Sequence, residues 1–236
     1  MATTPNPQDV GAMADWFDNR PINKKSRDLQ AQALRDRLAF VGLDWAKQVK
    51  MLDYACGPGF LSRIYGPHVS SIAAIDISDT MLDRYRSNIG TYGISTGKVN
   101  ALVGNLLVEP PEPASLSSPE YHEFDLITVG AALHHFPSVP SAVHALAARL
   151  RPGGVLLICD LFDSDSRKDA DGGEGKVEAA KRPKGFTEEG LKEVMEKAGL
   201  TEYKMEVLPE KYEVELPSLE VLKIECFLAQ AVKPRS

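Results

Sequence analysis

The chain has 236 residues, 43% apolar and 25% charged, a size and balance that suit one α/β domain with a substantial core. Lys and Arg total 27 against 33 Asp and Glu, so a net charge of −6 supplies no global field for gathering nucleic acid. The three cysteines, Cys56, Cys159 and Cys226, are far apart with no CxxC pair, which suggests neither a disulfide framework nor a zinc site and fits a reducing, cytoplasmic setting.

Met1 to Val10 is polar, without the basic start and apolar run of a secretory signal. No uninterrupted apolar stretch is long enough to span a bilayer, so no membrane partner is expected. Residues 1–12 read as a flexible tail and 13–236 as a single domain, with 13–45 as an N-terminal helical cap. Ala14 to Asp18 is a short amphipathic piece carrying Trp16 and Phe17. From Ser26, the positions Leu29, Ala33, Leu34, Leu38 and Val41 recur at helical spacing until Gly42 stops the helix.

Val49 to Tyr54 is the first strand and Ser71 to Ile77 the second, followed by a helix capped by Ser78 or Asp79 that carries Met81, Leu82 and Tyr85. Val99 to Leu107 reads as the third strand. Phe124 to Val129, nearly all apolar, is a fourth strand buried on both faces. An Ala-rich helix, Ser141 to Leu150, is broken by Pro152-Gly153-Gly154, and Val155 to Phe162 is the fifth strand. Thr187 to Ala198 is a helix with Glu in its first turn and Gly199 after its end. Two β-rich segments near 201–214 and 219–232 close the chain as an antiparallel hairpin. Pro110 to Glu120 and residues 163–185 read as mobile, the second as a candidate lid. Alternating strands and helices imply a parallel sheet covered on both faces.

In such a sheet ligands bind at the carboxyl ends of the strands. The residues there are Asp53 and Cys56-Gly57-Pro58-Gly59 after the first strand, Asp76-Ile77-Ser78 after the second, and Gly104-Asn105-Leu106-Leu107 after the third. Gly130-Ala131-Ala132-Leu133-His134-His135-Phe136 follows the fourth, and Asp160 with Phe162 the fifth. Gly57 and Gly59 let backbone approach a ligand without a Cβ in the way. Asp76, 76 − 59 = 17 residues after Gly59, lies near the distance at which a carboxylate accepts from ribose hydroxyls. A dinucleotide fingerprint needs a third glycine where this chain has Ser62, and there is no G-K-[ST] phosphate loop.

LDYACGPGF, AIDIS with DTML, VGNLL, FDLITVGAALHHF, LRPGGVLLICD and GFTEEGLKEVMEKAGL, in this order over roughly residues 47 to 200, resemble the class I S-adenosylmethionine-dependent methyltransferases. The likeness is to the small soluble type with an LHHF-like segment after strand four. It implies a Rossmann-like sheet of seven strands, mostly parallel with an antiparallel C-terminal strand and helices on both faces. It also implies S-adenosyl-L-methionine as cofactor. In that family's arrangement Asp53 lies near the methionine ammonium, with Cys56 in the loop and Gly57 and Gly59 packed against the cofactor. Asp76 holds the ribose hydroxyls, and Ile77 and Met81 sandwich the adenine. Asn105 and Leu106 lie at its edge, where many relatives have Asp in place of Asn105. Gly130 and Ala131 run beside the methionine part.

The competing readings are plain ones. Asp53, Asp76 and Asp160 could each cap nearby backbone, and Cys56 is more simply a small buried hydrophobe than a nucleophile. Trp16 and Phe17 serve either as core staples or as a flap over the cofactor. Asp125 begins its strand, at the wrong edge for chemistry. His134 and His135 are the candidate catalytic residues, one of them serving as a base if the acceptor needs one. The leading expectation is direct methyl transfer to a small-molecule acceptor. A protein methyltransferase and a non-catalytic cofactor-binding regulator of the same fold are the alternatives.

Overall fold

The computed structural model describes residues 20–163 and 185–235. The expectations placed on residues 1–12, on Trp16 and Phe17, and on most of 163–185 lie outside them. The chain enters on α1 (Pro21–Arg35), with proline at the first helical position, where its missing N–H is not required. The expected single helix to Val41 is two pieces. The α-helix stops at Arg35, a 3₁₀ turn follows over Leu38–Val41, and Gly42 ends it in the left-handed region at φ 76°.

Then come β1 (Lys50–Tyr54), α2 (Phe60–Tyr65), β2 (Ser71–Asp76), α3 (Asp79–Ile89), β3 (Val99–Val103), β4 (Phe124–Gly130), α4 (Val139–Arg149) and β5 (Leu150–Leu161). Ser78 caps α3 by accepting from Met81 N, and Ser138 caps α4 by accepting from Ser141 N. The chain ends on α5 (Glu188–Lys197), capped by Thr187, and four short strands: β6 (Thr201–Val207), β7 (Tyr212–Glu215), β8 (Val221–Ile224) and β9 (Cys226–Val232).

Seven strands form one sheet in the order β3-β2-β1-β4-β5-β9-β6. The five strands β1 to β5 run parallel, and β9 lies antiparallel between β5 and β6. Chain order reverses between β1 and β4, so the crevice at their carboxyl ends is the ligand-binding switch point of an open α/β sheet. Two apolar clusters cover the two faces. One joins Met51, Leu126 and Leu157 to α1, α2 and α3; the other joins Leu52, Ile127 and Leu156 to α4 and α5. Alternation along each strand divides the side chains between them.

Four further expectations need refinement or correction. The terminal segments pair antiparallel as expected, but the hairpin is interrupted: β6 and β9 join the main sheet while β7 and β8 pair as a separate two-stranded sheet. Pro209, which has no N–H to donate, follows the last ladder bond on this side, Leu208 N to Cys226 O, and the chain leaves the sheet there. The edge of β7 is held by α1: Asn23 exchanges two hydrogen bonds with the Glu215 backbone and Ser26 Oγ accepts from Glu213 N. Pro152-Gly153-Gly154 does not separate α4 from a later strand. β5 starts at Leu150, and its register against β4 shifts between Phe124 and Leu126; a Cβ on Gly154 would meet Phe124 O at 2.6 Å. The segment Pro110–Glu120 is built rather than loose. Its buried Leu116 and the adjoining Tyr121 are anchored by the buried Arg149, which donates to both of their carbonyls at 2.9 Å. β3 ends four residues early at Val103, because Asn105 turns to bridge Glu112 through two backbone bonds.

Candidate active site

At the carboxyl edge of β1 the loop 55–59 turns on alternate residues in the left-handed region: Ala55 at φ 52°, Gly57 at 50° and Gly59 at 95°. Glycine takes that region freely, and alanine does so at a cost of about 1 kcal/mol or more. Ala131, at the same edge of β4, has φ 51°. Two strained alanines thus sit at the ends of the two strands that bound the crevice, a place where backbone strain commonly accompanies function. No sequence signal marks them. A Cβ on Gly57 would meet nothing within 4 Å, so this turn leaves open space for a ligand. On Gly59 it would meet the Tyr85 ring at 3.0 Å, beside a φ that already favours glycine, and on Gly130 the Leu61 side chain at 2.8 Å.

Asp53 lies beneath the loop, 1% exposed. Its Oδ2 accepts from Ser62 N at 3.1 Å and Ser62 Oγ at 2.6 Å, and its Oδ1 accepts from Thr128 Oγ1 at 2.9 Å. Gly59, at the helix cap, has no side chain to offer, and Asp53 supplies the missing cap from the neighbouring strand. Ser62, the residue that breaks the dinucleotide fingerprint, also bonds Tyr85 OH at 2.7 Å. Sequence reading missed this Asp53–Ser62–Thr128–Tyr85 network, because its members meet only through strand register and helix placement.

Burial pushes the Asp53 carboxyl up to about 7, with the Ser62 and Thr128 hydrogen bonds opposing. Burial also raises Asp76. A carboxyl raised in the folded state binds its proton more tightly there than in the unfolded chain, whose value is about 4. The stability it contributes is present below that value and is lost as pH climbs through the folded value. The midpoint of thermal unfolding of the free protein is therefore expected to fall as pH rises from about 5 to about 7.5. A midpoint that rises over this window in a melt series contradicts the assignment. Burial lowers His135, a contribution of the opposite sign.

Asp76 ends β2 at the crevice, its Oδ2 accepting from Gly57 N at 2.8 Å and its Oδ1 from Ser78 N at 2.9 Å. It therefore ties the glycine turn to the second strand. Ile77 beside it is 37% exposed, an apolar face on the crevice, while Met81 is buried. Cys56 is buried too, and burial raises its thiol well above the usual range, which suits a packing residue. Beyond β3, Asn105 and the buried Leu106 meet Tyr54. The Tyr54 hydroxyl accepts from Leu106 N at 3.2 Å and donates to Asn105 Oδ1 at 3.3 Å.

Across the switch point, the 3₁₀ turn Leu133–His135 follows β4. His134 Nδ1 lies 2.5 Å from Oδ1 of Asp160, which is 1% exposed at the end of β5. Asp160 also accepts from Leu161 N at 2.7 Å and from His134 N at 3.4 Å. Surrounded by backbone donors, Asp160 favours the tautomer with the proton on Nδ1, which leaves the Nε2 lone pair free. The His135 ring lies tilted against His134 at 3.9 Å between centroids, and among the described residues no carboxylate is hydrogen-bonded to it. The two histidines are thus different in kind. Asp125 pairs instead with Lys50 N and Arg151 at the opposite edge, as its place at the strand start implied.

A carboxylate at the end of β2, an open glycine turn and an exposed isoleucine form a cradle suited to an adenosyl cofactor. This defines the class as a nucleoside-cofactor-binding α/β protein. Residues 25–204 match the family of the methyltransferase domain, and the chain belongs to the class I S-adenosylmethionine-dependent methyltransferases. It is 30% identical over 128 residues to an uncharacterized methyltransferase of Schizosaccharomyces pombe, covering 54% of this chain and 44% of that protein. It is 28% identical over 165 residues to the ubiquinone biosynthesis O-methyltransferase of Azoarcus sp., covering 68% and 65%. The chain thus spans about half the length of several curated relatives it matches, 43% for a ubiquinone/menaquinone C-methyltransferase of Psychromonas ingrahamii. Among solved structures, the N-methyltransferase NodS of Bradyrhizobium japonicum, in complex with S-adenosyl-L-homocysteine, superposes with a TM-score of 0.62 at 19% identity, covering 98% of this chain and 100% of that one. That likeness shows the fold. S-adenosylmethionine is the cofactor of the family, and the crevice residues fit it. No helix among the described residues is long and apolar enough to cross a membrane.

Proposed function

We propose that this chain transfers a methyl group from S-adenosylmethionine to a small-molecule acceptor that must lose a proton, a weakly acidic O–H or C–H, with His134 as the base. The observation that carries the reading is the His134 Nδ1–Asp160 Oδ1 contact at 2.5 Å beside the switch point. Bound S-adenosylmethionine supplies a methyl already activated by its sulfonium. A neutral amine acceptor needs little beyond alignment, whereas a hydroxyl or carbon acid needs a base. His134 Nε2 takes the acceptor's proton, and Asp160 holds the resulting imidazolium in orientation. Asp76 would hold the ribose hydroxyls and Ile77 would pack on the adenine. Asp53 would act on the methionine ammonium through its field, because its oxygens are already bonded to Ser62 and Thr128. Two relatives named for C- and O-methylation in ubiquinone biosynthesis support an acidic carbon or oxygen acceptor.

The test is turnover of purified protein, read as S-adenosylhomocysteine formed, on matched panels of phenols, enolisable dicarbonyls and primary amines. Product on the phenols or dicarbonyls is the expected result. Turnover on amines alone would sink the acidic-acceptor reading, and label entering only the protein fraction of a lysate would assign a protein acceptor instead.

A further inference from the structure

We propose that Asn105 reads the cofactor's purine as a hydrogen-bond donor, so that the exocyclic amine of adenine is not what this residue recognises. The proposal rests on the crevice being the S-adenosylmethionine site. Within it, the methyl-donating end must face the His134–Asp160 pair across β1 and β4, and the ribose must face Asp76. The base then extends the other way, toward β3. Val103 is the register partner of Asp76, and Gly104 N donates to Asp76 O at 2.9 Å, which sets Asn105 one residue beyond that contact. Ile77 at 37% and Val103 at 41% exposure are apolar groups left open to solvent at the ends of β2 and β3.

The polar groups at this end are largely committed inside the protein. Asn105 N donates to Glu112 O at 2.6 Å and Asn105 O accepts from Glu112 N at 3.0 Å. Leu106 N donates to Tyr54 OH, and Leu107 N donates to Asn105 Oδ1 at 2.9 Å. The same Oδ1 accepts from Tyr54 OH, so two donors converge on it. Turning the amide over would set Nδ2 against the Leu107 N–H, donor facing donor, so the orientation follows from the bonds. Tyr54 is itself fixed, 3% exposed and edge-on to the Phe136 ring at 5.9 Å between centroids. Among the described residues, what Asn105 has left to offer a ligand is the Nδ2 amide, a donor that suits a ring nitrogen of the purine and not its amino group. Tyr54 is the positioning residue that makes it so.

The experiment is calorimetric binding of S-adenosylhomocysteine and of its 6-desamino analogue, with purine in place of adenine. Wild-type protein should bind the two within about threefold. Asn105→Asp keeps the shape and puts an oxygen where Nδ2 stood; in this variant, loss of the amine should weaken binding by about tenfold or more. A wild-type loss of about tenfold on removing the amine overturns the proposal, as does an Asn105→Asp variant whose discrimination is unchanged. The wild-type comparison decides even if the variant folds poorly. Failure of S-adenosylhomocysteine itself to bind overturns the cofactor reading as well, and is distinct from bound ligand with the wrong pattern.

Discussion

Replacing His134 with alanine is expected to lower methyl-transfer turnover by about 10²- to 10⁴-fold, the range a positioned general base contributes. S-adenosylhomocysteine affinity should change by no more than about twofold, because the effect belongs to the proton transfer and not to cofactor binding. Asp160→Asn is the sharper test. An amide in place of the carboxylate can present its own N–H to His134 Nδ1 and favour the tautomer with the proton on Nε2, where it blocks the base. Turnover should then fall by a comparable factor with the acceptor KM little changed, and its pH profile should shift. A merely structural Asp160 would lower stability and leave the pH profile in place. His135→Ala should cost far less, since the His135 ring touches His134 while the Asp160 carboxylate is bonded to His134. If both histidine variants keep full turnover on an O–H or C–H acceptor, the base assignment is wrong.

Asp76→Ala should weaken cofactor binding by about 1–3 kcal/mol, through loss of charge-assisted hydrogen bonds to the ribose hydroxyls. The side chain has two duties in the structure: it also accepts from Gly57 N and Ser78 N, so alanine loosens the glycine turn as well. Asp76→Asn separates them. The asparagine oxygen can keep one backbone bond while the negative charge is gone. If the ribose bonds dominate, Asn and Ala should lose similar affinity in calorimetric titration; if turn tethering dominates, Asn should recover most of it. An unchanged dissociation constant in both variants would mean that Asp76 does not face the cofactor.

Much of this arrangement is legible in the sequence. The parallel strands announced themselves as apolar runs ending in Gly, Asp or Asn, and the helices by 3.6-residue spacing with caps such as Ser78 and Thr187. Those signals are local, set by backbone sterics and by which face a side chain meets. Asp76, the glycine turn and His134–His135 could be placed at one edge because the carboxyl ends of parallel strands share it. The misreadings came where partners are distant in sequence. Pro110–Glu120 looked loose because its composition is that of a loop, and only the Arg149 side chain reaching from α4 holds it. The antiparallel pairing of the last two segments is legible in their β-rich composition, but its division between two sheets is not. The split between main sheet and side sheet depends on which edges α1 and β5 leave open.

By itself, then, the sequence determined the class of fold, the edge on which the polar loop residues gather and the family, because these follow from period, order and turn chemistry along the chain. Only the tertiary structure decided how the polar residues at that edge divide the work. It turned Asp53 inward onto Ser62 and Thr128, gave Asp160 to His134 and not to His135, and set Tyr54 against Asn105. Each of these pairings joins residues from different strands or loops. A hydrogen bond depends on distances of a few tenths of an ångström, and no spacing along the chain encodes that.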